Sequence, residues 1–235
     1  MRARGAQAGF TLIELLIVIG IILLLVGVLV VSFGGVFGKR DNARAAATLA
    51  TLQSNLASFE TKWGVYPPGT LQQLGELTRT LNLLEVNDTN RGNEAMILAL
   101  RSRREGGPYL DQNLFSDSSR IGNLDNDTFM ADAIAANALD LPDDASLDLF
   151  ELLDPWGNPF IYVNINDVRA GTIQDKVTLI SGETIEITAL ECQEKLRHPV
   201  TGQFPIGYAL WSVGENGINE YGGGDDITSW TKDEN

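Results

Sequence analysis

One cysteine, Cys192, and one histidine, His198, occur in 235 residues. A lone cysteine excludes an intrachain disulfide, so an exported domain of this size must take its rigidity from elsewhere. A lone histidine, beside Pro199 in a polar stretch, makes neither a zinc-type cluster nor a Ser/His/Asp or Cys/His nucleophile. Positive charge is also scarce. The 17 Lys and Arg face 31 Asp and Glu, for a formal net charge of −14. A surface of that sign repels phosphate backbones and excludes nucleic acid as a direct partner. It suits an exported domain, and clustered acids are raw material for calcium sites. Internal repeats and low-complexity tracts are absent. Between Leu15 and Gly38 there is no charged residue at all.

That uncharged run is long enough to cross a bilayer, for which about 20 apolar helical residues suffice. It is too long for the apolar region of a cleaved secretory signal, which covers about 7–15 residues. Its first turn carries Glu14, and a carboxylate in hydrocarbon costs a few kcal/mol or more. A plain membrane anchor has no use for that charge. A subunit that moves from the membrane into a helical filament does, because a neighbour's free amino terminus can neutralise it. Arg2 and Arg4 precede the run and favour a cytoplasmic amino terminus; Lys39 and Arg40 on the far flank weaken that bias.

The segment Gly9-Phe10-Thr11-Leu12-Ile13-Glu14-Leu15-Leu16 resembles the processing signature of the type IV prepilin and pseudopilin family. The resemblance implies a leader over residues 1–9, cut between Gly9 and Phe10 by prepilin peptidase, which methylates the new amino terminus. Glu14 becomes the fifth residue of the mature chain and pairs with the amino group of Phe10 on a neighbouring copy. Further implied partners are the inner-membrane assembly platform and minor pseudopilins. The implied placement is single-pass in a bacterial inner membrane, with a periplasmic domain that joins a periplasmic filament. Many relatives carry a proline near the position of Val31. This chain offers Ser32, Gly34 and Gly35 instead, and each glycine weakens a helix by about 1 kcal/mol relative to alanine, which marks a place for local unwinding.

After the membrane and filament-core helix (10–38) comes an amphipathic half (39–66). Leu49, Leu52, Leu56, Phe59 and Trp63 recur at steps of three and four, on one helix face, as a core stripe. Ala43, Ala45, Ala46, Ala47 and Ala50 are strong helix formers. Gly64 ends the helix and Tyr66-Pro67-Pro68-Gly69 enforces a turn. Residues 67–153 read as an enlarged insertion. Leu71, Leu74 and Leu77 share a helix face there, Glu94–Arg103 reads as a short helix, and Asp125–Asp127 and Pro142–Asp148 as acidic loops or helix starts.

The last segment, 154–235, opens on Asp154-Pro155-Trp156-Gly157-Asn158-Pro159. Turn chemistry there leads into a strand at Phe160–Val163, with Trp156 expected to pack the sheet on the long helix. Further strands are expected at Val177–Ile180, Ile185–Leu190 and Tyr208–Val213, with Ser181-Gly182-Glu183 turning a hairpin. The fold class is α+β: a long amino-terminal helix on a small antiparallel sheet, as in type IV pilins.

After the final strand, Ser212 to Ile227 combine oxygen-bearing side chains with five glycines. Calcium takes six to eight oxygens, several from backbone carbonyls, and glycines let a short loop turn its carbonyls inward. Asn216, Asp225 and Asp226 are the expected side-chain ligands and Val213 the carbonyl donor. The ligand spacing is not that of an EF-hand, and no lysine and helix follow the glycines as in a phosphate loop. The turn before the first strand and this loop both resemble the major pseudopilins of type II secretion, where the loop binds calcium. Asn216 stands where those relatives usually carry aspartate, which removes a charge and weakens the expected site.

The resemblance therefore implies a structural, non-enzymatic subunit of a type II secretion pseudopilus. The alternative in the same chemistry is a surface pilus for adhesion, motility or uptake. An enzymatic alternative is a membrane-tethered hydrolase with Asp143, Asp144, Asp148 and Glu151 as paired carboxylates; the same spacing suits a solvated helix start.

Overall fold

A computed structural model describes residues 12–79, 83, 87–110, 114, 119–128, 139–141 and 148–230, with the backbone alone over 28–37. The leader 1–9, the Gly9–Phe10 junction, Asp143 and Asp144 lie outside these. The chain divides into two compact units after Arg40.

Helix α1 is assigned from Leu12 to Trp63. In the first unit its apolar side chains are exposed, from 45 % at Val18 to 79 % at Leu12. The backbone stays helical through Ser32, Gly34 and Gly35, so the expected unwinding is not seen. Among the described residues no helix is long and apolar enough to cross a membrane. The expected span at 10–38 lies partly outside them, through residues 10 and 11 and the side chains of 28–37.

In the second unit α1 behaves as its spacing predicts. Leu49, Leu52, Leu56 and Phe59 are buried in the main core, and Trp63 packs on its edge, stacked on Phe59 at 5.5 Å. Each such side chain fully withdrawn from water contributes about 1.5–3 kcal/mol. Gly64 stops the helix with φ +73°, its N–H still bonded to the Glu60 carbonyl at 2.7 Å. Helix α2 (Leu71–Thr78) is capped by Thr70 and buries Leu71 and Leu74, with Leu77 packed against the core.

Helix α3 (Arg91–Arg101) begins three residues before the expected start and ends two before the expected end. Every residue from Gly92 to Arg101 is buried. A helix inside the region read as an insertion thus fills the centre of the domain. Its Asn93 shows why a polar residue is tolerated there: Nδ2 donates to the Phe160 carbonyl at 2.6 Å and Oδ1 accepts the Leu152 N–H at 2.9 Å. Asp175 receives the first α3 amides, Arg91 N–H at 3.1 Å and Gly92 N–H at 3.0 Å.

The sheet is smaller and more divided than the single sheet expected. Strands β1 (Ile121–Gly122) and β2 (Glu151–Leu152) pair with each other. Strand β3 (Ile161–Asn164) runs into helix α4 (Ile165–Ala170); β4 (Gln174–Thr178) and β5 (Thr184–Thr188) form a hairpin that leads into helix α5 (Ala189–Lys195). Strands β6 (Tyr208–Ser212) and β7 (Ile227–Thr228) complete a three-stranded antiparallel sheet in the order β3-β6-β7. The register sets Ile161 opposite Trp211, Asn164 opposite Tyr208 and Trp211 opposite Thr228. Strand alternation sends Phe160, Tyr162 and Leu210 to the α1–α3 core. Ile161, Val163, Ala209 and Trp211 go to a second core with Val177, Ile187, Val168 and Cys192. Both faces are covered, which is why these strands read as continuous apolar runs.

Three expectations need correction. Trp156 is half-buried and belongs to neither core; Trp211 fills the interior instead. The second hairpin strand ends at Thr188 rather than Leu190, because the Thr188 hydroxyl caps α5 by accepting the Glu191 N–H at 3.3 Å. Its partner runs over Gln174–Thr178 rather than Val177–Ile180, and Ile180 is 60 % exposed in the turn. The turn itself falls at Ser181-Gly182-Glu183 as expected, with Leu179 N–H on the Glu183 carbonyl at 2.8 Å.

Candidate functional site

Two regions carry the residues singled out from sequence. The first is the start of α1. Glu14 lies in the first turn of the helix, exposed among exposed Leu12, Ile13, Leu15 and Leu16. An acid at a helix amino terminus complements the macrodipole. The expected processing site, Gly9 and Phe10, lies outside the described residues.

The second region is the glycine-rich loop between β6 and β7. It is built outward from a buried anchor. Asp154, 2 % exposed, accepts the Trp156 and Asn158 N–H groups on Oδ1 at 3.0 and 2.9 Å. Its Oδ2 accepts the Ser212 hydroxyl at 2.6 Å. Burial pushes this carboxyl above its ordinary range, against those hydrogen bonds. Ser212 Oγ then accepts the Gly214 N–H at 3.1 Å, which opens the loop. Gly214 has φ +67°, and a Cβ there would stand 2.7 Å from the Asp225 carboxylate. Only glycine adopts that backbone without strain while letting the acid approach.

Asp225 and Asp226 come together, and Glu220 joins them: one carboxylate oxygen from each lies within 4.8 Å of the others. Asp225 Oδ2 accepts the Asn216 N–H at 3.0 Å. Asp226 Oδ2 accepts the Glu220 and Gly222 N–H groups at 3.0 and 2.7 Å. The Oδ1 atoms of both aspartates are buried with no hydrogen-bond partner. Burial raises the Asp226 carboxyl to about 6. A set of converging, oxygen-only donors with two orphaned buried oxygens fits a hard divalent cation. Asn216 and Val213, the other expected ligands, flank the three carboxylates in the same loop. The Asn216 Oδ1 accepts the Ile218 N–H at 2.6 Å, and Val213 is fully buried at the end of β6. Glu220 was missed because four residues separate it from Asp225; the intervening Gly222-Gly223-Gly224 turn is the signal that the chain folds back on it.

Of the hydrolase carboxylates, Glu151 is buried and engaged structurally, accepting Asn90 Nδ2–H at 2.9 Å and the Leu124 N–H at 3.0 Å. Asp148 sits in an isolated bridge with Thr128.

Residues 4–30 match the model of the prokaryotic N-terminal methylation motif. No curated protein and no solved structure gives a match. The motif supports a type IV pilin-like subunit with a membrane-anchored amino terminus, structural rather than enzymatic, and it implies processing by prepilin peptidase and assembly into a filament. The architecture is α+β, an amino-terminal helix with small antiparallel sheets, and is consistent with a pilin-like fold.

Proposed function

We propose that this chain is a subunit of a type II secretion pseudopilus, a periplasmic filament that drives folded proteins across the outer membrane. The observation that carries the reading is a pairing of two features in one chain. An exposed apolar helix carries Glu14 in its first turn, and a glycine-rich loop after β6 gathers Glu220, Asp225 and Asp226. The first suits storage in the membrane and packing at a filament centre. The second resembles the calcium loop of major pseudopilins. In assembly Glu14 neutralises the amino group of Phe10 on a neighbouring copy; breaking such a desolvated pair costs about 3–5 kcal/mol.

In the loop, Asp225, Asp226 and Glu220 would hold calcium through their converging carboxylates. When bound, the ion supplies positive charge that cancels their mutual repulsion and ties β6 to β7. The chain's own part is to present Oδ1 of each aspartate while Oδ2 is held by backbone amides.

The test is the extracellular proteome of a deletion strain against its parent and a complemented strain. Loss of specific folded proteins from the medium, with their accumulation in the periplasm, supports the pseudopilus. Unchanged secretion together with lost surface filaments assigns the chain to a surface pilus instead.

A further inference from the structure

A second group of acids lies apart from the loop, where α3 meets the segment after β1. Glu94 sits in the first turn of α3 and is 2 % exposed; Asp127 is 6 % exposed and Asp125 half-buried. Carboxylate oxygens from the three lie within 4.8 Å of one another. Acidic clusters on surfaces need no ligand, but this one is interior and its oxygens are orphaned. Glu94 Oε1, Asp125 Oδ1 and Asp127 Oδ1 are all buried without a hydrogen-bond partner. Glu94 is therefore a buried, unpartnered carboxylate aimed at two others.

The surrounding contacts leave those three atoms open. Asn87 Nδ2–H donates to Asp125 Oδ2 at 2.9 Å and to Asp127 Oδ2 at 3.2 Å, so one amide holds the other oxygen of each aspartate. Asn123 fixes the Asp127 backbone from both sides, donating to its carbonyl at 2.7 Å and accepting its N–H at 2.9 Å. The neighbouring Glu151 is fully occupied by Asn90 and Leu124. Among the described residues no Lys or Arg forms an ion pair with Glu94, Asp125 or Asp127; Arg44–Asp41 and Lys176–Asp88 lie elsewhere.

We infer that Glu94, Asp125 and Asp127 form a site for a hard divalent cation of calcium size, distinct from the loop after β6. The donor set is all oxygen, with no histidine or thiolate, which disfavours zinc and the softer metals. Calcium binds oxygens at about 2.3–2.6 Å, so oxygens sharing one ion stand no more than about 5 Å apart. The three meet that limit without rearrangement. Three carboxylates crowded out of water repel one another; burial and the neighbouring acids push Glu94 to about 11 and Asp127 to about 6. The ion would pin the Asn123–Asp127 loop to α3, a cross-link in a domain that has no disulfide.

The test uses the full chain in detergent, with the loop after β6 disabled by Asp225→Asn and Asp226→Asn. In that background calcium titration by calorimetry is expected to show one binding event. Calcium should also raise the melting temperature relative to chelator. Adding Glu94→Gln, which keeps the side-chain shape and cannot ionise to bind a cation, should abolish both. In chelator the Glu94→Gln protein should melt at or above its parent, which separates lost binding from failed folding. Asp125→Asn, at a more exposed position, should weaken binding in the same direction. Calcium binding and a melting shift that persist unchanged in Glu94→Gln would overturn the site, as would no binding event in the parent. Neither result bears on the loop or on the secretion phenotype.

Discussion

The Ser212 hydroxyl donates to Asp154 Oδ2 at 2.6 Å across 58 residues of sequence, joining the turn that opens β3 to the loop that follows β6. Both residues are buried, Ser212 completely. Asp154→Ala strands three donors in the interior, the Ser212 hydroxyl and the Trp156 and Asn158 amides. Each unsatisfied buried donor costs about 1–3 kcal/mol, so a loss of about 3 kcal/mol or more is expected. Asp154→Asn keeps the acceptor for both amides and should lose less than half as much. Chemical denaturation of the three proteins measures the difference.

Trp211 and Trp156 make a sharper comparison. Trp211 is fully buried, edge-on to Trp230 at 5.7 Å and tilted against Tyr221 at 5.9 Å. Trp156 belongs to neither core. Trp211→Ala should cost about 3–5 kcal/mol, and Trp156→Ala under about 1 kcal/mol, as for surface substitutions. Equal losses in a denaturant titration would restore Trp156 to the interior.

Asp175 predicts a pH dependence. Its carboxylate receives the Arg91 and Gly92 amides, yet burial outweighs them and raises it from 3.8 to about 7. A carboxyl raised on folding binds its proton more tightly in the native state. Its stabilising contribution is full below pH about 4 and is lost as pH rises to about 7, by at most ~1.4 kcal/mol per pH unit. Asp175→Asn removes that loss. The melting temperature of the variant relative to the parent should therefore be more favourable at pH 7.5 than at pH 4.5. A pH-independent difference would show that folding does not raise the Asp175 carboxyl.

The loop after β6 is tested in a background where the α3 site is disabled by Glu94→Gln. Millimolar calcium should raise the melting temperature of that full chain in detergent, because a ligand of the native state alone stabilises it. Asp226→Asn should remove most of the rise and Asn216→Ala little of it, since the Asn216 Oδ1 already serves the Ile218 amide. No response to calcium in the Glu94→Gln parent would remove the loop as a metal site.

Much of this was written in local patterns. The stripe of Leu49, Leu52, Leu56 and Phe59 is set by helical spacing, and Gly64 ends α1 because a positive φ follows. The strand that the turn chemistry before Phe160 announced lies one residue on, at Ile161–Asn164, with both faces buried. What was not legible was pairing at a distance. Nothing near Glu94 in sequence shows that α3 carries it beside Asp125 and Asp127, some 30 residues on. Glu220 was hidden in the same way, since three glycines fold the loop back over four residues. Trp156 misled because size alone favours burial, whereas Asp154 turns that segment to serve backbone amides. The caps at Thr188 and Asn164 were readable, Thr188 and Glu191 having the spacing of a capping box although the Thr188 hydroxyl donates to the Glu191 carboxylate at 2.9 Å, and they mark where β5 and β3 give way to helices.

The central claim is that Glu14 serves assembly and not anchoring. The direct measurement is the yield of filaments in cells producing Glu14→Ala, with mass spectrometry of the amino terminus on the same samples. The account predicts a subunit cut after Gly9 and methylated on Phe10 like the parent, retained in the membrane, with filaments lost. Filaments at the parental yield from a correctly processed Glu14→Ala subunit would contradict it.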